Sequence, residues 1–317
     1  MDSFAVFWVL YKEVMTVEKD MQVTGGEKLL VYFSIVLLAL VAVYFGLGDI
    51  ISFVILPAIL AYTAVRFGAL HLLLQAALLV FVYSLASGGY YEPVCLTILP
   101  GLVIGISIRN RHGLLYTVSA GSVALLAGEM YLFFSTAIRE DVQIGFLESM
   151  TYQSTEMINA IGLPARESAL LIEMIQTYTP AILLLSMAAL SYFIVFTLFL
   201  LLKRRAPACV APYPRFRDFS VSRGSLLLWV VSWGISLFGS GTLSVLFANL
   251  ATLISSYIIL CGYSLAVFYI CKVQRGGLRV LLCIALIWLG SLASPLAFFL
   301  GGVDAVVHFR TRGGDKA

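Results

Sequence analysis

Between residues 28 and 301 the chain is a ladder of long apolar runs, broken mainly by Gly, Pro, Arg and short polar joints. With 61% hydrophobic and 12% charged residues, and a mean hydropathy of +0.99, it lacks the polar surface a soluble domain needs. Lipid must then serve as solvent. A backbone in lipid has to satisfy its own hydrogen bonds, which selects helices or closed barrels. The runs are continuous rather than alternating with period two, which argues against a barrel. The expected fold is all-α: a polytopic helical integral membrane protein of about 8–9 spanning helices, each needing roughly 20 residues to cross about 30 Å of hydrocarbon.

The runs are 29–46, 49–65, 68–86, 93–108 (with Pro100-Gly101 at its middle), 113–136, 180–202, 226–238, 243–270 and 280–300. They divide the chain into an interfacial N-terminus (1–27), a six-helix bundle (28–202) with an outer helical segment (137–179), a basic loop (203–223), C-terminal membrane helices (224–309) and a tail (310–317). Gly290 and Pro295 interrupt the ninth run, and each limb is too short for a full crossing. A re-entrant or kinked last element is expected there.

Orientation follows from the cationic joints. With the N-terminus inside, the inner joints hold Arg66, Arg109, Arg111, Lys203, Arg204, Arg205, Arg215, Arg217, Arg223, Lys272, Arg275 and Arg279. The outer joints hold Arg139 and Arg166. The bias places the N-terminus on the cytoplasmic side of the membrane. The first residues lack a basic stretch before their apolar patch, as a signal peptide would have. Phe4, Phe7, Trp8, Tyr11 and Met15 at helical spacing instead fit an interfacial amphipathic helix. The net charge of +3 reflects topology rather than nucleic-acid binding. Cys95, Cys209, Cys261, Cys271 and Cys283 form no CxxC pair and have no histidine at ligand spacing, so no metal or other cofactor is expected.

Glu129 is the sharpest residue, a carboxyl well inside the fifth run on the same helix face as Ser122. At that depth a charge costs a few kcal/mol unless paired, protonated or hydrated, so it is a functional candidate by default. Asp49, Tyr90, Tyr91 and Glu92 fall near the same outer side. Together they would form an acidic, aromatic mouth suited to a cationic or amine-bearing small molecule. Aromatic belts at the interface offer a plainer explanation. The interval 137–179 reads as two amphipathic helices divided at Gly162-Leu163-Pro164, either a lid over that mouth or a hairpin lying on the membrane. His71 and Gln75, one turn apart, can pair with each other or across helices. Ala120, Ala124 and Gly128, and likewise Ala42 and Gly46, recur at every fourth residue and read as close-packing seams. Asn249, Thr252, Ser256 and Tyr263 line one face of the eighth run, as interhelical glue or as a pore lining. The proline-broken joint 203–223 offers Arg215 and Arg217 to anionic headgroups or to a soluble partner.

Several segments in order carry a family likeness: LPGLVIGISIRNR (99–111), the long outer segment, PYPRFRDFSVSRGSLLLW (212–229) and LGGVDAVVHFRTR (300–312). On these the chain resembles the YybS family of bacterial multispanning membrane proteins. Its N-terminal half is also similar to the S-components of energy-coupling-factor vitamin transporters. That resemblance implies a six-helix protein that binds a small molecule from outside and docks on an ATP-driven module. S-components dock through an Ala-x-x-x-Ala motif in the first helix; here the counterpart is Ala42-x-x-x-Gly46, near the outer end of its run.

No HExxH, nucleophile elbow or aspartate pair is present, so no enzyme is expected. Two functions remain: a transport-type protein binding a small molecule from the outer side, and a non-catalytic scaffold for cell-envelope complexes. Their partners would be lipid with a small-molecule ligand, or lipid with other membrane or cytoplasmic proteins. The orientation has a direct consequence. A membrane-impermeant thiol reagent on intact cells should leave Cys209 unmodified and label it after permeabilisation; labelling from outside would invert the topology.

Overall fold

The computed structural model describes residues 25–44, 51–86, 94–140, 164–205, 216–288 and 292–309, with Tyr152, Thr155, Glu156, Ile158 and Gly290 besides. Among the described residues there are ten α-helices and no strand. These are α1 (Gly25–Tyr44), α2 (Leu56–Arg66, preceded by a π-turn Ile51–Ile55), α3 (Ala69–Ala86), α4 (Cys95–Arg109) and α5 (Leu114–Glu140). After them come α6 (Ala165–Arg205), α7 (Arg223–Phe238), α8 (Gly241–Cys271), α9 (Gly276–Trp288) and α10 (Ser294–Val307), with a 3₁₀ turn at Phe216–Asp218 before α7.

Three helical stretches among the described residues combine the length and apolarity to cross a membrane: Leu114–Ser135, Arg166–Arg204 and Gly241–Cys271. In α1, Glu27 and Lys28 confine the apolar part to residues 29–44. The other runs form helices of 11 to 18 residues, about 17–27 Å long, so the expected count of full crossings is matched only as a count of apolar helices. Large side chains face outward from them: Phe33, Leu115, Phe238 and Trp288 are 67%, 79%, 91% and 82% exposed, a surface suited to hydrocarbon rather than water.

The chain forms two compact units. Unit one comprises Met1–Phe146 and Ser186–Tyr213, and is built around α2. Small residues at Ala58, Ala61 and Ala64 let neighbours approach α2 closely, and nearly all its side chains are buried. On α4, Gly101 and Gly105 lie one turn apart against it. A Cβ on Gly101 would stand 2.9 Å from the Leu60 Cβ and the Pro57 carbonyl oxygen, and one on Gly105 would stand 2.6 Å from the Ala64 Cβ. On α5, Gly121 abuts Ile104 and Ser191, and Gly128 abuts Leu96. The seam read as Ala120, Ala124 and Gly128 therefore runs through Gly121, Ala124 and Gly128, with Ala120 only half-buried. Ser191 on α6 donates to the Val118 carbonyl on α5 (2.9 Å).

Unit two comprises Leu147–Leu185 and Pro214–Ala317. Its centre is the contact of α8 with α10. A Cβ on Gly262 would overlap the Ala297 carbonyl oxygen, and one on Gly301 would overlap the Ile258 carbonyl oxygen. The two helices thus touch backbone to backbone, through Ile258 and Gly262 on one and Ala297 and Gly301 on the other. The hairpin from α7 to α8 turns at Gly239–Gly241, with Gly241 at φ +63°. Trp229 closes it by donating to the Ser255 hydroxyl (2.7 Å) and setting its ring 5.0 Å from Phe298. Ser264 pins the 3₁₀ turn through the Phe216 and Phe219 carbonyls (2.5 and 3.0 Å). The ninth run is broken between Trp288 and Ser294, and the Tyr263 hydroxyl donates to the Gly290 carbonyl in that break.

One expectation changes. A helix was to begin at Pro164 and a separate span at Pro180; instead α6 runs unbroken for 41 residues with Pro180 inside it. A proline there removes one backbone donor and strains the turn before it. Asn249 of α8 repairs the damage. Its Oδ1 accepts from the Ala181 N–H (2.9 Å), and its Nδ2 donates to the Thr177 carbonyl (2.7 Å) and to Val245 in its own helix (2.8 Å). Thr177 and Ala181 are the two ends of a single i to i+4 rung, so the amide is spliced into the ladder. On the polar face of α8, Asn249 and Tyr263 bond groups outside the helix, whereas Thr252 and Ser256 return their protons to carbonyls one turn back in α8 itself.

The backbone contact in unit two carries the first structural prediction. Gly262→Val or Gly301→Val should cost about 2–3 kcal/mol through forced separation of α8 and α10. Gly234→Ala, where a Cβ meets nothing within 4 Å, should change stability by less than about 1 kcal/mol. Unfolding midpoints in a single detergent compare the three.

Candidate functional site

The residues expected to form the mouth divide sharply. Asp49, Tyr90, Tyr91 and Glu92 lie outside the described residues, as do Gly46 and Arg215. Ala42 lies within α1, but its side chain is outside the description. The amphipathic N-terminus is also outside it, and the segment 137–179 is described only in part. Glu129 and Arg217 are placed.

Glu129 sits on the 27-residue α5, next in sequence to Gly128 at the α4 seam. Its side chain is half-buried at the edge of the seam, and among the described residues no hydrogen bond or ion pair reaches it. Ser122, two turns away on the same face, spends its proton on the Val118 carbonyl (2.7 Å). The carboxyl is thus held on a helix long enough to span, and among the described residues no ion pair neutralises it.

A second polar group in unit one was not read as a cluster from the sequence. Glu27 in the first turn of α1 meets Tyr62 and Arg66, one turn apart on α2. The Tyr62 hydroxyl donates to Oε1 (2.5 Å), and Arg66 Nη2 donates to Oε2 (3.4 Å). By length the tyrosine bond is the stronger, since charge-assisted N–H···O bonds usually run about 2.7–2.9 Å. The side chains of Arg66 and Glu27 are 9% and 16% exposed, so water screens them little. Each charge also sits at the helix end that favours it, the acid at an N-terminus and the arginine at a C-terminus. Glu27 and Arg66 are 39 positions apart, which is why no local spacing reveals the pair.

Among the described residues, some buried polar atoms of unit one have no hydrogen-bond partner. Arg66 Nε is one, and both amide atoms of the fully buried Gln75 are two more. The pairing of His71 with Gln75 is not formed. The His71 ring instead tilts against Phe67 (centroids 6.0 Å apart), which in turn sets its edge to Tyr62 (6.1 Å). Gln75 belongs to the inward stripe Leu72, Gln75, Leu79 and Tyr83 of α3. A shallow apolar groove of about 600 Å³ between α1 and α3, lined by Leu29, Tyr32, Phe33, Val36 and Leu78 among others, includes none of the residues expected to bind ligand.

In unit two, Arg217 stands on the 3₁₀ turn that Ser264 anchors, 3.8 Å from Asp218 and partly exposed. Among the described residues, no group of three or more His, Cys, Asp or Glu side chains is gathered as a metal site would require. Cys261 is buried and Cys271 and Cys283 are half-buried, and none of the three forms a disulfide.

Outward-facing apolar side chains, spanning helices and small-residue seams together define a helical membrane protein. A family model described as "Predicted membrane protein (DUF2232)" matches residues 33–305. The chain belongs to that family. No curated protein and no solved structure matches it.

The clamp is testable as a unit. Tyr62→Phe should destabilise the protein by about 2 kcal/mol, the usual worth of a hydrogen bond to a charged group. In a Glu27→Gln background the same change should cost less than about 1 kcal/mol. A double-mutant cycle of unfolding free energies measures the difference.

Proposed function

We propose that this membrane protein is a transport-type, non-catalytic protein that takes a small molecule from the outer side, in the manner of S-components. In this reading its N-terminus and arginine-bearing joints face the cytoplasm of a bacterial inner membrane. The likeness to the YybS family and to S-components belongs to the same proposal. Its main support is Glu129, a half-buried carboxyl on a spanning helix with no described partner. A carboxylate left unpaired in an apolar bundle is costly, and a cationic or amine-bearing ligand would offset that cost. Gln75 adds weight, because a buried amide with both ends unpaired in the same unit implies a missing polar partner.

A scaffold role is the second reading. Its support is the anchoring of Arg217 on a fixed turn, with the Tyr257 hydroxyl also holding the Ser220 carbonyl (3.1 Å). A basic side chain held this way suits docking by an acidic protein surface, and Arg215 would extend it. Ala42 and Gly46 would serve a partner helix.

A thermal-shift screen of amines and cationic metabolites on the purified protein separates the two readings. Transport-type binding predicts at least one compound that raises the melting midpoint by several degrees, with the rise lost in Glu129→Gln. A flat screen, together with a cross-linked partner lost in Arg215→Gln/Arg217→Gln, would transfer the assignment to the scaffold.

A further inference from the structure

We propose that α6 carries a built-in hinge at Pro180 whose bend is set by the side-chain amide of Asn249 on α8. The inference needs no ligand and stands apart from the transport reading.

Three features act on one turn of α6. Pro180 removes a backbone donor and forces its ring toward the preceding turn. Thr177 and Thr179 each return a hydroxyl proton to the carbonyl four residues back, Thr177 to Glu173 (2.9 Å) and Thr179 to Ile175 (2.6 Å). Such back-bonding lengthens the local ladder and bends helices. The turn Thr177–Pro180 is thus weakened by its own sequence. In water, solvent can support a weakened rung; in lipid, a neighbouring helix must do so.

Asn249 is the group that completes it. The residue is 8% exposed, and its amide bonds both ends of the Thr177–Ala181 rung while staying tied to Val245 of its own helix. A side-chain amide has one acceptor oxygen and two donor hydrogens, and here all these roles are filled. A hydrophobic residue could fill the space but could bond neither end. A hydroxyl could not reach both ends and also hold Val245.

This arrangement offers two ways to satisfy the same backbone groups. The rung can close on itself, with Thr177 and Ala181 bonded directly and α6 straighter. It can also close through Asn249, with α6 bent. Proline disfavours the first and the amide favours the second, so closure through Asn249 is the stable arrangement. Exchange between them swaps hydrogen bonds rather than abandoning them, which keeps the alternative within reach. The limb Ala165–Thr179 is thereby coupled to α8, and whatever competes for the Asn249 amide would shift the bend. Asn249 is a positioning residue in this account.

A thermodynamic cycle and a distance measurement test it together. Asn249→Leu should lower the unfolding midpoint by roughly 3–6 °C in the native background, and by less than about half as much when Pro180→Ala restores the missing donor. Spin labels at the exposed Leu170 and Leu260, in a chain with its native cysteines replaced by Ala, should give one narrow distance distribution with Asn249. That distribution should broaden or shift with Asn249→Leu and recover with Pro180→Ala. If Asn249→Leu does not accumulate, Asn249→Asp substitutes for it, retaining the acceptor for Ala181 and losing the donor to Thr177. Equal penalties in both backgrounds would overturn the hinge, leaving Asn249 as ordinary interhelical glue. So would an unchanged distance distribution.

Discussion

Each polar group of the backbone in this protein must find its partner inside the protein, because hydrocarbon supplies none. That constraint selects helices, and it also governs each place where a helix fails. Pro180 removes a backbone donor within α6, and an asparagine from α8 bonds the Thr177 carbonyl and the Ala181 N–H beside it. The ninth apolar run breaks after Trp288, and a tyrosine hydroxyl takes the carbonyl of Gly290. The chain leaves helical structure at Phe216–Asp218, and a buried serine takes the carbonyls there. All three repairs come from α8, which makes it the organising helix of unit two.

Side-chain burial alone gives little drive to bring helices together in lipid, since tails are as apolar as leucine. Close approach must supply the attraction through dispersion and weak Cα–H···O contacts. Glycine supplies the room. Gly101 and Gly105 bring α4 onto α2, Gly121 and Gly128 bring α5 onto α4, and Gly262 and Gly301 bring α8 and α10 to backbone contact. These positions tolerate no side chain, which is why their substitution is expected to be costly when most of the apolar surface is interchangeable.

Much of this was legible in the sequence because lipid imposes so coarse a requirement. The apolar runs became helices near their expected limits, and the break at Gly290–Pro295 fell where its residues placed it. The seams were harder to read. Period four picked out Ala124 and Gly128 correctly but shifted the upper contact to Ala120, since Gly121 lies on the truly buried face. The GLVIG segment of α4 was quoted for its family likeness and not for its spacing, though that spacing makes the tightest contact with α2. The continuity of α6 was not legible at all. A proline after a polar segment reads as a start, and nothing local shows that Asn249, 68 positions from Ala181, will complete the turn. The Glu27–Tyr62–Arg66 clamp was hidden for the same reason, as its partners lie on two different helices, α1 and α2, that must first pack together.

The polar groups that stay unsatisfied are distributed unevenly. In unit two side chains of α8 bond the backbone at the three breaks named above, and among the described residues the Ser232 hydroxyl is its one buried side-chain atom without a partner. In unit one, among the described residues, both ends of the fully buried Gln75 amide and the Arg66 Nε have no partner, and neither does Glu129. A hydroxyl left open is a small debt, whereas an amide or a carboxyl in hydrocarbon is a large one. The two units therefore differ in kind: among the described residues, unit two closes its helix breaks with side chains of α8, while unit one keeps an open buried amide and a carboxyl with no described partner.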